Sequence, residues 1–272
     1  YTFMYYHGIY YKMQQNYKNL QWLIESGADE AITDSPINRF ESTNKQEVKQ
    51  SHNIDKPPLK SDKVLNKNHS QPTGNQYAIS QAQENAENCN SIEELKTAIN
   101  NFNFCSLKNT AKNTVYYRGT NTPKILCVGL SPNKQDDKNG SPFSGDMNLL
   151  IDRMFKSAGF DIETIAFTNS VFWYPPGERT ITTQEYKINK PFLFRTIELA
   201  NPDLIIVFGN ELSKYIFNEN ALKLRGKITN LKINKDFRAF VLYSARQMFN
   251  IPTYKKQVWQ DLKKVKEYLS ND

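Results

Sequence analysis

Four short apolar runs constrain this chain more than any other feature: KILCVG (Lys124–Gly129), IAFTN (Ile165–Asn169), DLIIVFG (Asp203–Gly209) and AFVLY (Ala239–Tyr243). Each is too short for a helix, rich in branched residues and without polar alternation. An uninterrupted apolar strand is buried on both faces, which is the condition of a parallel sheet covered by helices. Helical patterns separate the runs: Asn148–Ala158 closed by Gly159, Thr183–Ala200 opened by a Thr182/Glu185 capping box, Glu211–Phe217, and Thr253–Leu269. The alternation predicts a three-layer α/β/α sandwich around a central four-stranded parallel sheet. Ligands of such sheets bind beyond the carboxyl ends of the strands, so the loops after Gly129, Asn169, Gly209 and Tyr243 are where chemistry is expected.

Composition divides the chain unevenly. From Glu41 to Asn90, Asn, Gln, Ser and Lys dominate, Phe and Trp are absent, and apolar residues follow no period. The expected organisation is a helical arm over 1–40, a disordered linker over 41–90, and a folded domain over 91–272 that opens on a Ser91/Glu94 capping box. Residues 1–100 carry 10 basic and 12 acidic groups, whereas residues 101–272 carry 25 and 16, an excess of nine positive charges on the domain. Such an excess suits an anionic partner such as nucleic acid, and it also follows from a general richness in lysine. Three dispersed cysteines, Cys89, Cys105 and Cys127, argue against a disulfide framework and suit a reducing cytoplasm. No run is long enough to span a membrane, and the Tyr-rich start lacks a signal-peptide layout. A monomeric cytoplasmic protein is expected.

The loop Gly129–Asp146 (GLSPNKQDDKNGSPFSGD) is long, with three glycines and two prolines. Gly129 and Pro132 can fix a turn whose amides face a bound carbonyl. Phe143 either packs inward or offers a flat face to a base. The loop lacks the G-K-[ST] ending of a nucleotide-hydrolase phosphate cradle. Asn169, at the end of its strand, can donate to and accept from a pyrimidine edge, or cap a turn. The stiff run Trp173–Arg179 suits a nucleic-acid backbone, with Arg179 as its cation, or is a packed surface loop. After the fourth run, Arg246, Gln247 and Met248 can form a wedge beside an extruded base with Lys255 and Lys256 near phosphates; alternatively Met248 is core. His7, His52 and His69 all precede the domain, which excludes histidine triads, a histidine metal site and the zinc deaminase signature there.

These loops, in this order, resemble the uracil-DNA glycosylase superfamily, in particular its iron–sulfur, thermophile-type family and the alphaproteobacterial branch that departs from the full cysteine set. The family pattern G-E-A-P-G, an acidic stretch, then G-x-P-F-x-G lies without a gap on Gly129–Gly145. The pattern T-N followed by P-P-G-N-R-T lies on Thr168, Asn169, Pro175, Pro176, Gly177, Arg179 and Thr180, with Glu178 in place of Asn. The segment Glu25–Arg39 also resembles the N-terminal segment of that branch. The resemblance implies base flipping, with uracil stacked on Phe143, its edge read by Asn169, and amides near Gly129 and Ser131 receiving the charge of the departing base. It leaves Asp136 or Asp137 to steer water or stabilise the sugar cation.

Departures carry equal weight. The family's acidic position falls on Leu130, and its His-Pro falls on Ser244 and Ala245; a sister family that reads G-L-A-P resembles Gly129–Pro132 here. Of four cluster-ligand positions only Cys105 keeps its thiol, the others being Phe102, Trp173 and Asn189. One thiolate cannot hold a four-iron cluster, so no cofactor and no metal are expected. The expected function is uracil excision from single- or double-stranded DNA in base excision repair, at reduced activity. The alternative is a catalytically inactive DNA-binding module on the same fold.

Overall fold

The computed structural model describes residues 74–270, which fall within one compact unit. Its strands in chain order are β1 (Tyr117–Gly119), β2 (Ile125–Gly129), β3 (Ile165–Asn169), β4 (Leu204–Phe208), β5 (Ile228–Lys232) and β6 (Asp236–Leu242). They form one sheet in the order β1-β3-β2-β4-β6-β5. The four apolar runs supply its parallel centre, β3-β2-β4-β6. Two antiparallel edge strands, β1 on β3 and β5 on β6, extend the expected four strands to six. Neither edge has an apolar run to announce it: Tyr117–Gly119 is half exposed, and Ile228–Lys232 is only partly buried.

Helices α1 (Gly74–Glu87), α2 (Ile92–Asn101), α3 (Lys134–Asn139), α4 (Asp146–Ser157), α5 (Thr183–Ala200), α6 (Asn210–Phe217), α7 (Ala221–Leu224), α8 (Ala245–Asn250) and α9 (Thr253–Ser270) complete the unit. Successive residues of a strand point to opposite faces. Accordingly Leu126 and Val128 pack with α1, α2 and α5, whereas Ile125 and Cys127 pack with α4, α8 and α9. Both faces are covered, so every residue of β2, β3 and β4 is buried. No helix among the described residues is long and apolar enough to cross a membrane.

The expected linker over 41–90 requires correction at its end. Residues Gly74–Glu87 form α1, in which Ala78, Ala82 and Ala86 recur every fourth position and are buried against α5. The small stripe replaces the large apolar face that usually marks an amphipathic helix, which is why composition alone reads as unstructured. Arg195 of α5 donates from Nε (3.0 Å) and from a terminal nitrogen (2.7 Å) to the Cys89 carbonyl, tying the α1–α2 turn to α5. The arm over 1–40 and the remainder of the linker lie outside the described residues.

The Thr182/Glu185 box at the start of α5 is present, with Glu185 N–H donating to Thr182 Oγ1 and Thr182 N–H donating to Glu185 Oε2 at 2.7 Å. Arg179 closes on the same carboxylate through two nitrogens, at 3.0 and 2.5 Å, so the helix start anchors the preceding loop. Burial pushes the Glu185 carboxyl up, and the Arg179 and Thr182 hydrogen bonds more than offset this, leaving it below its ordinary value of 4.5.

Two outcomes follow. Ala82→Leu overpacks the α1–α5 contact and lowers stability by about 1–3 kcal/mol, read as a urea midpoint shift, whereas a frayed linker would show none. A carboxylate held below its unfolded pKa stabilises the fold above that unfolded value, and the contribution is lost as pH falls through the folded value. The urea-midpoint gap between the wild type and Glu185→Gln is therefore largest near neutrality and closes below the ordinary Glu range; a gap constant down to pH 3 would contradict the assignment.

Candidate active site

The register of the parallel sheet creates the site. Gly129, the last residue of β2, pairs with Asn169, the last residue of β3. A Cβ at Gly129 would stand 2.5 Å from Asn169 Oδ1 and 3.0 Å from Cε2 and Cζ of Phe143. Only glycine lets the carboxamide and the ring converge here. They face a cavity of about 360 Å³ at the carboxyl ends of β2, β3, β4 and β6, whose walls include Ser131, Pro132 and Phe208.

Asn169 is 2% exposed, and its Nδ2 has no hydrogen-bond partner. A buried donor left unpaired costs roughly 1–3 kcal/mol, so its persistence beside a cavity marks a place for an acceptor. Phe143 resolves the choice between packing and presentation by doing both. It lies 5.2 Å from the Phe167 ring and 5.6 Å from the Phe208 ring, and it also lines the cavity beside Gly129. Its φ of 54° is left-handed, a strained state for an aromatic residue and one that clusters at functional sites.

What holds that backbone is Asp136. Residues 134–139, expected as irregular loop, form α3, capped by Asn133, whose Oδ1 accepts from Gln135 N–H (2.7 Å) and Asp136 N–H (2.9 Å). One carboxylate oxygen of Asp136 accepts from Ser144 N–H (2.6 Å) and Ser144 Oγ (3.0 Å), and the other from Asn133 N–H (3.0 Å). Burial raises its carboxyl above the ordinary range against those donors. Asp136 lines the cavity with both oxygens engaged, next to the residue that precedes α4 by two positions and follows Phe143 directly.

Asp137, the other acidic candidate, is corrected by its position. It lies outside the cavity wall, its Oδ1 accepting from the N–H groups of Lys112 (2.9 Å) and Asn113 (3.0 Å). A rotation of about 100° about the α3 axis separates the two side chains, a distinction that adjacency in sequence hides.

The proposed wedge also changes. Met248 is fully buried in the core between the sheet and α9, so it cannot enter a duplex. Gln247 is spent on a reciprocal cap, accepting from Ser244 N–H (2.9 Å) while Ser244 Oγ accepts from Gln247 N–H (3.3 Å). The exposed apolar residues of this segment are Phe249 and Ile251, missed because the helical phase of so short an element as α8 is not legible from sequence. Lys255 lies over the Phe249 ring at 5.3 Å, and neither Lys255 nor Lys256 lines the cavity. Arg179 and Arg246 do line it; the first is held by Glu185 and the second pairs with Glu178. The junction of β4 and α6 contributes Gly209, the N-cap, and Asn210 and Glu211 of the first helical turn, for which the strand-end glycine is the signal in the sequence. Leu130 and Ser244 also lie on the wall.

The residues at the four cluster-ligand positions do not fit a four-iron cluster. Phe102, Cys105, Trp173 and Asn189 are each at most 1% exposed, and Cys105 brings the single thiol. Asn189 Nδ2 donates to Cys105 Sγ at 3.5 Å, and Trp173 Nε1 donates to Thr114 Oγ1 at 3.2 Å. Among the described residues no three His, Cys, Asp or Glu side chains are grouped to hold a metal ion.

Comparison with known proteins finds a family model and several named relatives. The model of the Uracil DNA glycosylase superfamily matches residues 117–263. A type-4 uracil-DNA glycosylase of Sulfurisphaera tokodaii is 29% identical over 185 residues, covering 65% of this chain and 84% of that protein. One from Saccharolobus solfataricus is 30% identical over 175 residues, covering 61% and 81%, and one from Archaeoglobus fulgidus is 26% identical over 184 residues, covering 65% and 92%. A matched model spanning β1 to α9, and relatives aligned over most of their length, mean that the chain belongs to the uracil DNA glycosylase superfamily and, within it, to the type-4 family.

Proposed function

We propose that the protein hydrolyses the N-glycosidic bond of a flipped-out uracil in DNA, as a base excision repair glycosylase of reduced activity. The observation that carries this reading is the buried, unpartnered Nδ2 of Asn169 beside the Phe143 ring. A uracil edge offers an acceptor at O4 and a donor at N3, and a carboxamide meets both. A substrate lacking the matching groups leaves the buried amide unpaired, which is a strong basis for rejection.

In the reaction, the C1′–N1 bond breaks with its electron pair leaving on the base, and the oxygen of water joins C1′ while its proton passes to solvent. In this reading backbone amides around Gly129 and Ser131, both on the cavity wall, receive the departing base's developing charge. Asp136 is a positioning residue in this reading, because its oxygens are committed to Asn133 and Ser144. Leu130 and Ser244 occupy wall positions where the resemblance expects an acid and a histidine, and neither can move a proton as those do. Loss of one donor to the developing oxyanion costs about 3–4 kcal/mol, two to three orders of magnitude in rate. The slow rate follows from those two positions. That same pair of substitutions, with Ser244 occupied as a helix cap, favours the second reading, a DNA-binding module without catalysis.

The test is uracil release from a single-stranded uracil oligonucleotide at micromolar protein over hours. Release above background is expected, and Asn169→Ala lowers it about 100-fold or more, with Phe143→Ala raising KM through the lost stacking face. Salt-dependent binding without any release selects the binding module. A Leu130→Glu, Ser244→His double variant raises the rate if the chemistry lacks only those groups, although it forfeits the Ser244 cap at roughly 1 kcal/mol.

A further inference from the structure

Two loops that belong to non-adjacent strands are joined over the cavity. The segment after β3 and the start of α8 after β6 are separated in the sheet by β2 and β4, whose own loops form the wall between them. Arg246 nonetheless reaches Glu178, one terminal nitrogen pairing with Oε2 and the other lying 3.4 Å from the Glu178 carbonyl oxygen. The second carboxylate oxygen accepts from Lys134 N–H at 3.4 Å, so Glu178 touches the α3 loop as well. Its backbone is left-handed, φ 56°, directly after Gly177 at φ 65°. Both side chains remain partly exposed, 35% for Glu178 and 52% for Arg246, so an incoming ligand can reach them.

Resting on the glycosylase reading above, we propose that Glu178 is a positioning residue that sets DNA affinity at the cavity mouth: its carboxylate occupies Arg246, and a DNA phosphate gains that guanidinium only by displacing it. An arginine fork matches a carboxylate or a phosphate, and one fork serves one of them at a time. The ion pair is exposed and therefore weak and screened by salt, so exchange is easy. The mouth is pinned until a backbone phosphate arrives, and the cation then steers the strand toward the base pocket.

The experiment measures binding of a uracil-free single-stranded oligonucleotide against salt concentration, with uracil release in parallel. Glu178→Gln keeps length and backbone strain and removes only the charge. It frees Arg246 for one further phosphate, which steepens the log–log salt slope by about 0.7, tightens binding several-fold at low salt, and lowers KM with kcat held. Arg246→Gln weakens binding, and the double variant binds no better than Arg246→Gln alone. Glu163→Gln, an exposed carboxylate at the opposite end of β3, leaves the slope unchanged. If the wild type binds DNA and Glu178→Gln neither tightens binding nor steepens the slope, the displacement is refuted. If the double variant keeps the gain of Glu178→Gln, the effect is general charge and the pairing with Arg246 is refuted. A wild type that shows no salt-dependent DNA binding overturns the glycosylase reading itself, a distinct result.

Discussion

The site depends on an atom that is absent. Because Gly129 has no Cβ, the Asn169 carboxamide and the Phe143 ring occupy space within 3.0 Å of where that atom would be. Any other residue pushes one of them away, and both are constrained: Asn169 by its place in the ladder, Phe143 by Phe167 and Phe208 behind it. The strand register supplies the alignment. A shift of one residue would send Asn169 to another position against β2 and reverse every buried side chain, which a sheet covered on both faces does not tolerate. The hydrophobic pattern that folds the sheet thus also fixes the polar contact at its end.

The same economy extends to the loop. Phe143 stays in a left-handed conformation because Ser144, the next residue, is bound through its N–H and hydroxyl to Asp136, itself fixed in the Asn133 cap. A buried carboxylate with three donors is costly to desolvate but, once satisfied, stiff. In the proposed reaction its service to the cavity is geometric, fixing Ser144 directly after the Phe143 ring.

How much of this is legible in the sequence follows from which signals are periodic. The inner strands and α5 are, because continuous branched runs and a Thr182/Glu185 box are local patterns. Gly129, Phe143 and Asn169 were reachable because each sits at a strand end or in a glycine- and proline-marked loop. The edge strands were not, since β1 is three residues long and β5 is only partly buried. Helix α1 escaped because alanine buries little area and so leaves no hydrophobic contrast. The sides of α3 and α8 escaped for another reason: in six residues the direction of one side chain decides whether Asp136 or Asp137 faces the cavity, and whether Met248 or Phe249 faces water. Periodicity cannot set that phase; tertiary contact does.

The region around Cys105 shows what packing can do where coordination cannot. A cluster would tie the α2 segment, the loop after β3 and α5 by metal–sulfur bonds. Here Phe102 meets Phe192 edge to face at 5.1 Å, Phe172 meets both Phe192 and Trp173, and the Asn189 amide reaches Cys105 from within α5. Beyond them, α1 lies along α5 and Arg195 grips the Cys89 carbonyl. These contacts join the same three segments, and each aromatic pair adds roughly 0.5–1.5 kcal/mol beyond its buried area. They differ from a cluster in consequence. Burial raises the Cys105 thiol above its ordinary value despite its hydrogen bonds, so it stays protonated and inert at neutral pH. The Pro175–Arg179 loop thus follows directly on a segment, Phe172–Trp173, that is fixed by ring packing and by the Trp173–Thr114 hydrogen bond.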